Sequence, residues 1–278
     1  MEANINYLDK PGVFRINQLP AHSDHIFYIS HDEMKSQSNS FLQSLNGIWK
    51  FHYSTNVSGS LSVDLNKRNN VSSASKSGEC NVPGSIPEWN EAVVDRGRTN
   101  FEAFKNHTSI LFWSLGNESY AGDNIANMNR YFKEKDKSRL VHYEGVFYNR
   151  VYDAVISDVE SRMYATPEEI VEYLETSPAK PYISCEYMHN MGNSMGGLKS
   201  YTDLIDQYQS YHGGFIWDYI DQALYVNDEI TGERVLRYGG DFDDRPSDYE
   251  FSGDGILFAD RSKKPAMQEV RYLYGRYK

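Results

Sequence analysis

Two glutamates close apolar runs of the same grammar. Between Ser109 and Ser119 the run Ile110-Leu111-Phe112-Trp113 ends in Gly116-Asn117-Glu118, and between Pro181 and Glu186 the run Tyr182-Ile183-Ser184-Cys185 ends on Glu186. Each reads as a buried strand that delivers one carboxylate at its carboxyl end, the face on which barrel enzymes set their catalysts. Two acids in unlike environments suit a retaining glycoside cleavage. One protonates the leaving oxygen, the other attacks the anomeric carbon from about 5–5.5 Å, and the proton donor then activates water. The plainer reading of the same residues makes Asn117-Glu118-Ser119 a helix entry and Glu186 an ion-pair partner.

Other side chains fall near these acids. Tyr164 lies between them, just past a strand, where a phenol would hold a nucleophilic carboxylate ionised; it equally fits a packed surface tyrosine. His189 follows Glu186 by three residues and suits either a sugar hydroxyl or a local partner. Trp217 offers an apolar face to a hexose or to the core. Asp241, Asp243, Asp244, Asp248 and Asp254 match no EF-hand spacing and read as a solvated loop. A P-loop, a dinucleotide-binding glycine fingerprint, His-Glu-x-x-His and Cys-x-x-Cys are all missing from the sequence.

The elements that must position these groups divide the chain into regions of different texture. Leu45 to Tyr53 alternates as one β-strand after a turn, and Ser54 to about Gly78 is too rich in Ser, Asn, Gly and Lys to bury a core, so a boundary belongs there. From about Pro87 helix and strand signals alternate as in a parallel α/β fold. Helices are expected over Glu88 to Asn106, Gly122 to Lys137, Thr166 to about Glu175, Leu198 to Tyr211 and Ala266 to Tyr274. Strands are expected over Ser109 to Leu115, Leu140 to Glu144, Ala154 to Ser157, Ile183 to Cys185 and Gly213 to Tyr219. These make about five strand-and-helix units, where a closed (β/α)₈ barrel typically needs eight.

Composition bounds the partners. The 278 residues carry a formal charge of -11 and 40% hydrophobic residues, which argues for a folded acidic protein without a nucleic-acid or anionic-membrane partner. No stretch approaches the roughly 20 apolar residues of a membrane span, and no secretory signal opens the chain, so a cytoplasmic location is expected. Cys80 and Cys185 are expected as free thiols. Tyrosine is abundant, 22 against 4 tryptophans, as suits stacking on sugars.

Three stretches are specific enough to compare with a known family. Phe112-Trp113-Ser114-Leu115-Gly116-Asn117-Glu118-Ser119, Cys185-Glu186-Tyr187-Met188-His189-Asn190-Met191-Gly192-Asn193-Ser194 and Gly213-Gly214-Phe215-Ile216-Trp217-Asp218 resemble the β-galactosidases of glycoside hydrolase family 2. The likeness continues through Tyr238-Gly239-Gly240-Asp241-Phe242 and Gly255-Ile256-Leu257-Phe258-Ala259-Asp260-Arg261, while Ser44-Leu45-Asn46-Gly47-Ile48-Trp49 resembles the start of the family's sugar-binding sandwich. By that resemblance residues 1–53 are a fragment of the N-terminal sandwich, 54–81 a linker or deletion junction, and 82–278 the C-terminal part of a TIM barrel, as in an internally deleted family member. The resemblance implies retaining hydrolysis of terminal β-galactosides such as lactose, with Glu118 as acid/base, Glu186 as nucleophile and Tyr164 beside it. Asn117, His189 and Trp217 would contact galactose. Glu118 would also ligate Mg²⁺, and Phe251 and Asp254 would border a Na⁺ site, Asp254 standing where well-known members carry asparagine. The missing strands imply an inactive remnant or non-catalytic sugar-binding or partner chain, or else a complementing chain that supplies them; a homo-oligomer is the other expected association.

Overall fold

The computed structural model describes residues 84–192, 194–244, 247 and 249–277, and before them 7, 10–16, 18–23, 26 and 28–40. The expected strand at Leu45 to Tyr53, the linker at 54–81 and Cys80 lie outside the described residues. The chain divides into two compact units, Met1–Val141 and His142–Lys278.

The described elements of the first unit are α1 (His31–Ser36), α2 (Asn90–Phe104), β1 (Phe112–Ser114), α3 (Asp123–Lys135) and the first two residues of β2 (Leu140–His142), the hydrogen-bonded neighbour of β1; His142 opens the second unit. Pro87 starts a short 3₁₀ turn into α2, where its fixed φ suits a helix entry. The apolar stripes of α2 and α3 close on Trp113, whose ring lies 5.3 Å from Phe101 and 5.4 Å from Phe132. Gly97 makes that approach possible, since a Cβ there would stand 2.5 Å from Met128 Cγ. The indole N–H of buried Trp113 donates to Asp136 Oδ2 at 3.1 Å, and Arg139 covers the ring.

In the second unit, β3 (Glu160–Met163), β4 (Tyr182–Tyr187) and β5 (Tyr211–Ile216) form a parallel sheet in that order. α4 (Pro167–Leu174) and α5 (Leu198–Gln207) make the two crossovers, as parallel neighbours require. Thr166 caps α4 with a reciprocal capping box to Glu169, as its sequence predicts. One core gathers Ile170, Leu174, Tyr182, Leu204 and Tyr211; a second gathers Tyr187, Leu198, Ile256, Val270 and Leu273 under the closing helix α6 (Ala266–Tyr274). An antiparallel hairpin, β6 (Leu224–Asn227) with β7 (Arg234–Arg237), stands between β5 and α6. The α/β class with a parallel sheet is as expected.

Several boundaries differ from expectation. Ala154 to Ser157 is a turn after a 3₁₀ segment at Arg150–Tyr152, and the strand lies at Glu160–Met163 instead. Ala154 and Val155 are exposed, whereas Ile156 is 1% exposed and the Ser157 hydroxyl donates to Val159 O at 2.7 Å. The strand is polar, because Arg150 grips buried Glu160 with two 2.7 Å hydrogen bonds and Arg162 adds a third at 2.8 Å. Such a satisfied ion cluster offsets the cost of burying charge and leaves no hydropathy signal. The strand from Leu140 ends at His142, and Glu144 begins a 3₁₀ turn; α5 stops at Gln207, so that β5 begins at Tyr211.

Candidate active site

Glu186 is the fifth residue of β4, and Tyr164 follows directly on β3, where a register shift pairs Met163 with Glu186. Tyr164 holds Glu186 twice: its amide donates to the Glu186 carbonyl at 2.8 Å and its hydroxyl to Oε2 at 2.9 Å. This needs an unusual backbone, φ 54° at a residue with a side chain, a conformation that costs about 1–3 kcal/mol and gathers at functional sites. Burial first, then the Glu186 charge, pushes the phenol above its ordinary pKa, so it remains a donor. Beside it opens a cavity of about 150 Å³, walled by Phe147, Arg162, Tyr164 and Glu169.

The His189 ring lies 5.9 Å from that of Tyr164 and 5.8 Å from that of Phe251. Its Nε2 stands 3.5 Å from Asp254 Oδ2, the oxygen that also accepts from Trp217 Nε1 at 2.7 Å. Asp254 therefore departs from the solvated-loop reading. Asp241, Asp243 and Asp244 are exposed, whereas Asp254 is 1% exposed, and its Oδ1 has no hydrogen-bond partner. Burial raises its carboxyl above the usual range, opposed by the Trp217 bond. The backbone forces this position: Asp218 N–H donates to Asp254 O at 2.8 Å, and Ile256 N–H to Asp218 O at 2.9 Å. Gly255 lets the strands meet, since a Cβ there would lie 2.3 Å from Asp221 N.

Asn190 ties these loops together and was not singled out by sequence. It is 2% exposed; its amide donates to Trp217 O at 2.8 Å and its side chain to Gly255 O at 2.6 Å. The signal was a polar residue inside an otherwise motif-like run, Tyr187 to Ser194. Thus Tyr164, Glu186, His189, Trp217, Phe251 and Asp254 form one connected group. Asn117 and Glu118 belong to the first unit, in a bend past β1, with Asn117 half-buried and Glu118 exposed at φ 55°.

A donor-gripped carboxylate at the end of a parallel strand, flanked by a histidine and an indole fixed on a buried acid, is suited to covalent chemistry on a sugar. The family model described as "Glycosyl hydrolases family 2, TIM barrel domain" matches residues 45–278. The chain belongs to glycosyl hydrolase family 2. Within that family it is 70% identical over 198 residues to the "Beta-galactosidase large subunit" of Latilactobacillus sakei, covering 71% of this chain and 32% of that protein. It is 57% identical over 263 residues to the protein of the same name from Lactobacillus helveticus, covering 90% of this chain and 42% of the relative. A "Beta-galactosidase" of Halalkalibacterium halodurans is 60% identical over 194 residues, 70% of this chain and 19% of that protein. The chain therefore spans less than half the length of these relatives. Among the described residues of this family 2 chain, no helix is long and apolar enough to cross a membrane.

Proposed function

We propose that this chain carries both catalytic carboxylates of a retaining β-galactosidase, with residues 82–278 as the C-terminal part of the barrel, about its last five units, and residues 1–53 as the start of a sugar-binding sandwich. The observation that carries the reading is the double hold of Tyr164 on Glu186. Glu186 attacks the anomeric carbon of a terminal galactoside and forms a covalent galactosyl ester; Tyr164 keeps the carboxylate oriented. Glu118 protonates the departing oxygen and then draws a proton from the water that releases galactose. Asn117, His189 and Trp217 hold the sugar, Trp217 through its ring face. Trapping with a 2-deoxy-2-fluoro galactoside tests this. The labelled peptide should contain Glu186, and turnover with the label on any other residue would sink the assignment.

The residues present fit one of the two cations of the resemblance. The partnerless Oδ1 of buried Asp254 suits a small cation, which Asp254 and Phe251 would hold as Na⁺ and which would supply local positive charge beside the sugar. Mg²⁺ does not fit as well. Among the described residues, the group of three converging metal-binding side chains does not include Glu118, and no step is assigned to magnesium.

Relatives named as large subunits point to a second chain. We propose that a complementing chain supplies the rest of the fold, since the matched span covers 32% and 42% of those proteins. That same short span favours, as the second reading, an inactive remnant of the enzyme.

A further inference from the structure

His142 and Glu144, at and just past the end of β2, and Cys185 on β4 bring a ring nitrogen, a carboxylate oxygen and a sulfur within 4.8 Å of one another. None of the three has a part in the chemistry assigned above, although Cys185 is the chain neighbour of Glu186. Ser161 on β3 adds a hydroxyl, 2.7 Å from His142 Nε2 and hydrogen-bonded to the Cys185 sulfur. Three strands thus contribute to one polar knot.

The donor set discriminates among cations. Calcium and magnesium take oxygen ligands, whereas thiolate with imidazole and carboxylate suits zinc and its borderline-soft neighbours. Tetrahedral zinc holds nitrogen at about 2.0–2.1 Å, oxygen at about 2.0–2.2 Å and sulfur at about 2.3 Å, so its ligand atoms stand roughly 3.5 Å apart. A group confined within 4.8 Å needs only side-chain adjustment to reach that spacing. Glu144 is 3% exposed, and a carboxylate with a thiolate would balance a divalent charge inside the fold.

We propose that His142, Glu144 and Cys185 form a binding site for one zinc-type divalent cation, with Ser161 or water completing the shell. Such an ion cross-links His142 and Glu144, at the start of the second unit, to Cys185 on β4 of the same unit and stabilises the native chain by mass action.

The test uses the full chain, with Co²⁺ as the spectroscopic probe and Zn²⁺ as competitor. Wild type and Cys80→Ser should each show one thiolate-to-cobalt charge-transfer band that one equivalent of Zn²⁺ abolishes, and Cys185→Ser should lack it. Because Cys185→Ser alters a strand interior, His142→Gln supplies the second arm. Zn²⁺ should raise the Tm of wild type by several degrees, and that of His142→Gln should stay unmoved. A band that disappears with Cys80→Ser instead, no band in wild type, or an equal Zn²⁺ shift in His142→Gln would each overturn the site.

Discussion

Tyr164 grips Glu186 by both its backbone and its side chain, the amide at 2.8 Å from the carbonyl and the hydroxyl at 2.9 Å from Oε2. The two bonds are geometrically coupled. The left-handed backbone at Tyr164 turns the chain out of β3, and the amide bond fixes that turn against β4 before the phenol meets the carboxylate. Tyr164 is 43% exposed and Glu186 is half-buried, so the carboxylate is held without being sealed from a ligand.

Tyr164→Phe should remove the side-chain bond and leave the amide bond in place. Loss of one preorganised donor at a reacting group typically costs about 10²–10³ in kcat. In the assembled enzyme kcat on an aryl galactoside should fall by about that factor with KM changed little. A KM rise with kcat preserved would make Tyr164 a sugar-binding residue instead.

Asp254 gives a pH prediction of definite sign. Its folded carboxyl is raised, so the folded state binds the proton more tightly; stability is greatest below the usual carboxylate range and falls as pH rises through the unfolded and then the folded pKa. Asp254→Asn keeps an acceptor for Trp217 without the charge, so it should raise Tm at neutral pH in sodium-free buffer and flatten this slope. Asp254→Leu should instead cost about 1–3 kcal/mol, because it orphans the indole N–H. Adding Na⁺ should raise the Tm of wild type more than that of Asp254→Asn, as read by differential scanning fluorimetry.

Gly214 tests how tightly the sheet is closed near Glu186. A Cβ there would meet Ser184 Cβ at 2.7 Å and Ser184 O at 2.9 Å, and backbone cannot rotate aside as a side-chain tip can. Gly214→Ala should destabilise by about 1–3 kcal/mol, as overpacking does. Urea unfolding measures it, and an unchanged midpoint would mean that β4 and β5 separate easily.

The sequence was most legible where function and fold leave the same mark. Glu186 closing an apolar run, Thr166-Pro167 with Glu169 opening α4, and Ala266 to Tyr274 as the closing helix are all local patterns, and each stands where expected. What escaped depends on partners far along the chain. Asp254 looked like one acid among five until Trp217 and the Asp218 backbone drew it inside, and β3 was invisible because its strand is stabilised by Arg150, Glu160 and Arg162 rather than by apolar alternation. The hairpin β6–β7 leaves little trace because its strands are only four residues long, Leu224–Asn227 and Arg234–Arg237, and neither has a buried residue.

Asp136 contributes to the acid stability of the first unit. Burial pushes its carboxyl up, but hydrogen bonds from Ser138 and Trp113 together with Arg139 outweigh this and hold it at about 2. A depressed folded pKa means stability that is present above the unfolded value, roughly 3.9, and lost as pH falls through about 2. Asp136→Asn should weaken the chain near neutrality and reduce the acid sensitivity of the tryptophan fluorescence transition. A wild-type transition unchanged in the variant would show that other carboxylates govern acid unfolding.

Activity of the chain alone and in company separates the two readings of its length. Oxocarbenium stabilisation needs preorganised neighbours on both sides of the sugar as well as the two carboxylates, and the span matched in the large-subunit relatives is less than half of each. The isolated chain should therefore hydrolyse a chromogenic β-galactoside at a rate near background. Mixing it with a chain that supplies the remaining barrel strands should bring activity that saturates at a fixed stoichiometry and disappears with Glu186→Gln in this chain. Activity that survives Glu186→Gln would come from the added chain, and no activity at any ratio would leave the remnant reading in possession.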